Sequence, residues 1–341
     1  MVRVVRRFPI VLGASGVVVA LLAVTAVALN PGILNVLSPG SETPPSPQAQ
    51  IDAPAWSVGD TWTYNVTFTR VDDEISDLRG NDLQDRDVSQ FPWIVSVTKE
   101  VSAIESTLSG DVYNVSLVAS LELPSPQDGL LMGRWSRLAW ERPELILTDV
   151  AFEGYAWYRV DTLALAKDVL NIRVAYEAST EEGAVTASLT VSIVKTFDPA
   201  LDLWAFPILP EETWSVASVM TANITSVFRL DAPDFYVEVG RHKAFALPIL
   251  LTAESGVFEE VTTPAGTFQA IPVAFTPQAL ANLREGTDVV AAHEPEYDER
   301  PPRGDATVWF SSDVGAVVRA IARAGWKGLT LEIVLVAYEN V

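Results

Sequence analysis

Two histidines, His242 and His293, are the only imidazoles in this 341-residue chain, and it has no cysteine. Thiolate nucleophiles, disulfides, Fe–S clusters and zinc–thiolate sites are therefore excluded. A serine hydrolase would need one of those imidazoles beside an activated serine. Beyond residue 50 the sequence holds neither a Gly-x-Ser-x-Gly elbow nor a His-Glu-x-x-His helix. Carboxylates are plentiful and concentrate in two runs, Asp72 to Asp87 and His293 to Asp305. The first lacks the spacing and terminal glutamate of a calcium-binding hand, and Pro295 prevents the second from presenting ligands at helical spacing. Both runs read as solvated loops, with no metal and no cofactor expected. Paired carboxylates would suit a glycosidase only if two of them faced each other across a cleft at about 5 to 9.5 Å. The chain reads as noncatalytic.

Other polar groups suggest modification and recognition instead. Asn65-Val-Thr67, Asn114-Val-Ser116 and Asn223-Ile-Thr225 are acceptor triplets for N-glycosylation, and each asparagine falls on the polar phase of an alternating segment. Ten tryptophans are many for this length. Trp135, Trp140, Trp157, Trp204 and Trp326 are candidates to line a hollow for an apolar or sugar ligand, since aromatic faces give large contact area at small entropy cost.

The elements that must position these groups read as strands. In Thr61 to Phe68 the large side chains Trp62, Tyr64, Val66 and Phe68 alternate with threonines and Asn65, the pattern of a half-buried antiparallel strand. The same period recurs at Val112–Val118, Ala184–Val194, Val257–Val261 and Leu329–Tyr338. Val314–Arg323 and Trp326–Tyr338 form a closing hairpin around Ala324-Gly325, and Thr263-Pro264-Ala265-Gly266 suits a three-residue hairpin loop. One short helix is expected after Thr276-Pro277, with threonine as its cap and proline at its first position. Val58-Gly-Asp-Thr-Trp62 is echoed by Pro210-Glu-Glu-Thr-Trp214, which permits a seam near residue 200.

Residues 1–7 are basic, and Phe8 to Leu29 carry no charge, a stretch long enough to cross a bilayer core of about 30 Å. The expected order is a cytoplasmic tail over 1–7, a transmembrane anchor over 8–30, a Pro/Ser-rich linker over 31–52 and an extracytoplasmic domain over 53–341. A cleaved signal ending near Ala26-Val27-Ala28 would deliver the same domain, then secreted, to the same side. Beyond residue 50 the chain holds twenty basic and forty-three acidic side chains, a field that repels nucleic acid.

Three landmarks carry a resemblance. They are Trp56-x-x-Gly59-Asp60-x-Trp62-x-Tyr64, the turn Thr263-Pro264-Ala265-Gly266-Thr267-Phe268, and Trp309-Phe310-Ser311-x-x-Val314-Gly315. Their order and spacing resemble an uncharacterised group of secreted β-rich proteins, similar in fold to lipoprotein-carrier-like half-barrels. The resemblance implies an all-β fold with minor helix, in which a curved antiparallel sheet wraps over an apolar hollow behind one N-terminal transmembrane helix. It brings no catalytic residue. The expected function is a noncatalytic surface or envelope module that binds a partner protein, glycan or apolar ligand such as a lipid. A purely structural envelope component is the alternative, and a carboxylate hydrolase the remaining one.

Overall fold

The computed structural model describes residues 50–70, 93–121, 146–180, 183–233, 235–277, 304–324 and 329–341, and among them there is no helix. Thirteen strands follow one another: β1 (Thr61–Arg70), β2 (Trp93–Thr107), β3 (Gly110–Leu121), β4 (Ile146–Arg159), β5 (Leu165–Thr180), β6 (Gly183–Leu201), β7 (Thr213–Ala232), β8 (Phe235–Ser255), β9 (Glu259–Thr263), β10 (Gly266–Pro277), β11 (Gly304–Ser311), β12 (Ala316–Ala324) and β13 (Leu329–Glu339). Each of β1 to β7 pairs antiparallel with the next strand, β8 pairs with β10, and β10 with β11. From β11 the sheet continues through β12 and β13, and β13 returns to β1 along its whole length, from Thr61↔Glu339 to Arg70↔Leu329. Twelve strands thus close a barrel, with β9 hairpinned onto β10 outside the ring.

Closure corrects the expected half-barrel. Alternation within a strand shows which face is buried but not whether the first and last strands meet, because an edge strand and a paired one share the same pattern. Closure removes the exposed edges that a half-barrel would leave.

Alternation sorts the wall into two faces. Trp62, Tyr64 and Val66 of β1, Val115 and Leu117 of β3, Leu170, Ile172 and Val174 of β5, and Val191 and Ile193 of β6 point inward and are buried. Thr63, Asn65 and Thr67 of β1, Ser192 of β6, and Ser215, Thr221, Asn223 and Thr225 of β7 point outward. The polar face is therefore the outer one, the reverse of a membrane-spanning barrel with its apolar outer band.

The barrel's two ends differ. At one, β2 turns into β3, β4 into β5, β6 into β7 and β11 into β12 through connections that are fully described. At the other, residues 71–92, 122–145 and 278–303 connect strands but lie outside the described residues, and the acidic runs fall largely there. So do His293, Trp135, Trp140, Trp326, residues 1–49 with the expected anchor, and the body of the expected short helix. No helix among the described residues is long and apolar enough to cross a membrane.

Local expectations need five corrections. Thr276 and Pro277 do not cap a helix but end β10, opposite Thr252 and Leu251, because β8 supplies a partner strand there. In the 263–266 turn, Thr263 pairs with Gly266, leaving Pro264-Ala265 as a two-residue loop. Gly266 opens the next strand at φ +145 rather than sitting in the left-handed helical region. Ile51, placed in the linker by composition, is buried and bridges Ile208 through two backbone hydrogen bonds. Asp305, placed in an acidic loop, lies in β11 opposite Arg323. The closing pair of strands stands as β12 and β13, but Ala324, expected in the turn, ends β12 opposite Leu329, and residues 325–328 lie outside the described residues.

Candidate functional site: the barrel lumen

Twelve strands enclose more space than side chains alone fill, since about eight already give a filled interior. Two aromatic clusters occupy the end where the connections are short. Trp56 enters from the segment before β1 and lies 5.1 Å from Trp62, 5.2 Å from Tyr113 and 5.6 Å from Tyr158, ring centre to ring centre. Trp204, from the connection after β6, lies 4.9 Å from Phe310 and 6.0 Å from Phe275.

Between these clusters lies a cavity of about 80 Å³, walled by Trp56, Trp62, Trp204, Phe310, Leu165 and Ala320. That is room for several waters or a short apolar segment. Its polar groups are few: Tyr64, Tyr158 and Lys99. Lys99 faces inward between Val97 and Val101, with its ammonium 5.5 Å from the Tyr64 ring centre. Burial lowers the Lys99 pKa to about 8 and pushes both phenols above the ordinary tyrosine value. For Tyr158 the Asp168 carboxylate adds to the upward push.

Asp168 of β5 and Lys195 of β6 stand directly opposite each other on the inner face, with the ammonium 2.7 Å from Oδ2. Asp168 is wholly buried, and its Oδ1 receives no hydrogen bond. Burial raises the Asp168 pKa and outweighs the opposing effect of Lys195. This pair eluded sequence reading, although a signal was present. Both charges fall on the apolar phase of their strands, Asp168 two residues before Leu170 and Lys195 two after Ile193.

Other expected site residues separate. Trp56, Trp62 and Gly315 converge at the short-connection end. The Trp56 indole donates to the Gly315 carbonyl at 2.8 Å, and the Trp62 indole to that of Val314 at 3.3 Å. Gly59, at φ +101, turns the chain into β1, and the Val341 amide donates to Asp60 Oδ1. Phe268 of the middle landmark meets Tyr338 of β13, ring centres 5.8 Å apart, with Pro264 and Gly266 forming the turn before it. Trp309 lies on the outer wall, where its indole donates to Glu259 and the Arg319 guanidinium stacks 5.4 Å from its ring.

Trp157, expected in a hollow, also faces outward, beneath the Lys167 ammonium at 4.7 Å. Landmark tryptophans Trp56 and Trp62 line the cavity in its place, together with Trp204. Asn65, Asn114 and Asn223 all lie on the outer wall, and the Asn114 amide donates to Glu105 at 2.6 Å. His242 is exposed on the outer face of β8. Among the described residues no three His, Asp or Glu side chains gather as a metal site.

Fold and site together define a closed antiparallel barrel with a polar exterior and an apolar, sparsely charged lumen. The chain matches no protein-family model and no curated protein. Among solved structures it is similar to a Bacteroides fragilis protein of YmcC-like fold whose export is inferred in its description. The likeness is 10% in sequence, covers 86% of this chain and 100% of that one, and superposes with a TM-score of 0.31. A superposition at that level assigns neither fold nor function.

Proposed function

We propose that this protein is a noncatalytic, membrane-anchored envelope module that holds an apolar ligand in the lumen of its barrel. The observation that carries the reading is the inverted wall, polar outside and apolar inside, around a cavity floored by Trp56, Trp62 and Trp204. Water-filled channels line their lumens with polar groups, whereas ligand-holding barrels line them with apolar ones. Asp168 is the single acid among the inward positions of β5 to β8, so these four strands offer no pair of carboxylates for hydrolysis. The basic tail and apolar run at residues 1–30 support anchoring, with the barrel on the extracytoplasmic side.

The test is photocrosslinking of the full chain in its membrane with a long-chain alcohol bearing a diazirine. Labelling of lumen-facing residues, reduced by Ala320→Phe, is expected. Labelling confined to residues 8–30, or none, overturns the reading and favours a purely structural envelope role. Digestion of a C-terminal tag by protease added to intact cells tests the topology, and protection there refutes it.

A further inference from the structure

At the end opposite the aromatic floor, β6, β7 and β8 are long, with 19, 20 and 21 residues, and β8 runs past the paired part of β10. Among the described residues β10 accompanies β8 as far as Leu251. Beyond it the inner face of β8 continues through Ile249, Leu247, Phe245, Lys243, Arg241 and Val239, on the same side as buried Leu251 and Ala253. Ile224, opposite Lys243, and Phe228, opposite Val239, extend this face onto β7. Leu247, Phe245 and Val239 are exposed, at 44%, 37% and 42%.

Charge on this face has one sign. Arg241 and Lys243 are two of the chain's twenty-three cations, against forty-four acids. Among the described residues neither makes an ion pair; Lys243 lies 5.7 Å from the Phe245 ring centre. By contrast Lys195, Arg159, Arg229 and Arg319 each have a carboxylate. Of the acids on these strands, Glu238 points to the outer face, where it meets Arg229 and Tyr236. Asp168, on the inner face, is already matched by Lys195. Two cations beside an apolar strip, on the face leading into an apolar lumen, complement a molecule with a long hydrocarbon chain and an anionic head.

We infer that Arg241 and Lys243 form the headgroup site for a single-chain anionic amphiphile, a long-chain carboxylate, whose tail lies along Phe245 and Leu247 toward the lumen. This assignment rests on the lumen-binding reading and adds the class of ligand. The head accepts hydrogen bonds from the guanidinium and ammonium. The tail covers apolar surface of Val239, Phe245 and Leu247, which are exposed among the described residues.

The experiment compares two photoreactive probes of equal chain length, a carboxylate and the corresponding alcohol, on the full chain in its membrane. The expected result is stronger labelling of 235–255 by the carboxylate, and a fall of about tenfold in that labelling with Arg241→Gln/Lys243→Gln. The alcohol's labelling stays unchanged, and Arg241→Lys/Lys243→Arg retains the carboxylate's. Equal labelling by both probes, insensitive to the glutamine variant, overturns the headgroup site while leaving the lumen reading intact. Loss of labelling by both probes in the unmodified chain overturns the lumen reading itself. Carboxylate labelling confined to residues 8–30 shows partition into the bilayer only, and also overturns the headgroup site.

Discussion

Trp56 and Gly315 are 259 residues apart in sequence, yet the Trp56 indole donates to the Gly315 carbonyl at 2.8 Å. Gly315 adopts φ +65, and a Cβ there would stand 3.1 Å from that of Pro54. The first and last landmarks are thus two sides of one contact, which fastens the segment before β1 to the β11–β12 turn. Trp56→Ala should destabilise by about 3–5 kcal/mol through the cavity it leaves. Gly315→Ala should cost about 1–3 kcal/mol in backbone strain. Because both act on one contact, the double variant should lose less than the sum in denaturant titration. Strict additivity would show the contact to be incidental.

The Asp168–Lys195 pair gives a prediction with a pH signature. Lys195→Met strands a buried carboxylate and should destabilise by about 3–5 kcal/mol near neutral pH, whereas Asp168→Leu/Lys195→Met should recover most of that loss. A raised carboxyl pKa means that the folded state holds the proton when the unfolded state has released it. Stability therefore falls as pH rises from the unfolded value of 3.8 through the folded one, and is regained on acidification. Lys195→Met should steepen this dependence. A pH-independent defect in that variant would refute the assignment.

Lys99 and the two phenols oppose one another on the alkaline side. With its pKa lowered to about 8, Lys99 in the folded state releases its proton before the unfolded chain does, so stability rises between about pH 8 and the ordinary 10.5. Tyr64 and Tyr158 keep their protons above pH 10, where an unfolded tyrosine ionises, so stability falls beyond that point. Thermal unfolding should show a maximum near pH 9 to 10. Lys99→Met should abolish the rising limb, and Tyr158→Phe should soften the fall. The absorbance of the folded protein should show two phenols that do not titrate until it unfolds.

Exposure predicts a contrast between two phenylalanines. Phe275 is fully buried against Trp204, and Phe275→Ala should cost about 3–5 kcal/mol. Phe245, at 37% exposure on the projecting part of β8, packs little, and Phe245→Ser should shift stability by no more than about 0.5 kcal/mol while weakening amphiphile labelling. Comparable destabilisation by both would mean that the β7–β8 projection is covered in the native protein.

Strand character and facing were fixed locally. Period-two alternation is a property of consecutive residues, so the inward set of β1, the polar phase of Asn65, Asn114 and Asn223, and the closing pair of strands could all be read from the chain. Absent cysteine and scarce histidine likewise bounded the chemistry before any fold was known. Ring closure through β13 and β1, the meeting of Trp56 with Gly315, the burial of Ile51 and the facing of Asp168 by Lys195 belong to the tertiary structure alone. Each depends on which strand lies beside which, a matter of register between distant segments that local alternation leaves free. For the same reason Trp157 and Trp204, alike in sequence, part company: one covers the outer wall and the other floors the lumen.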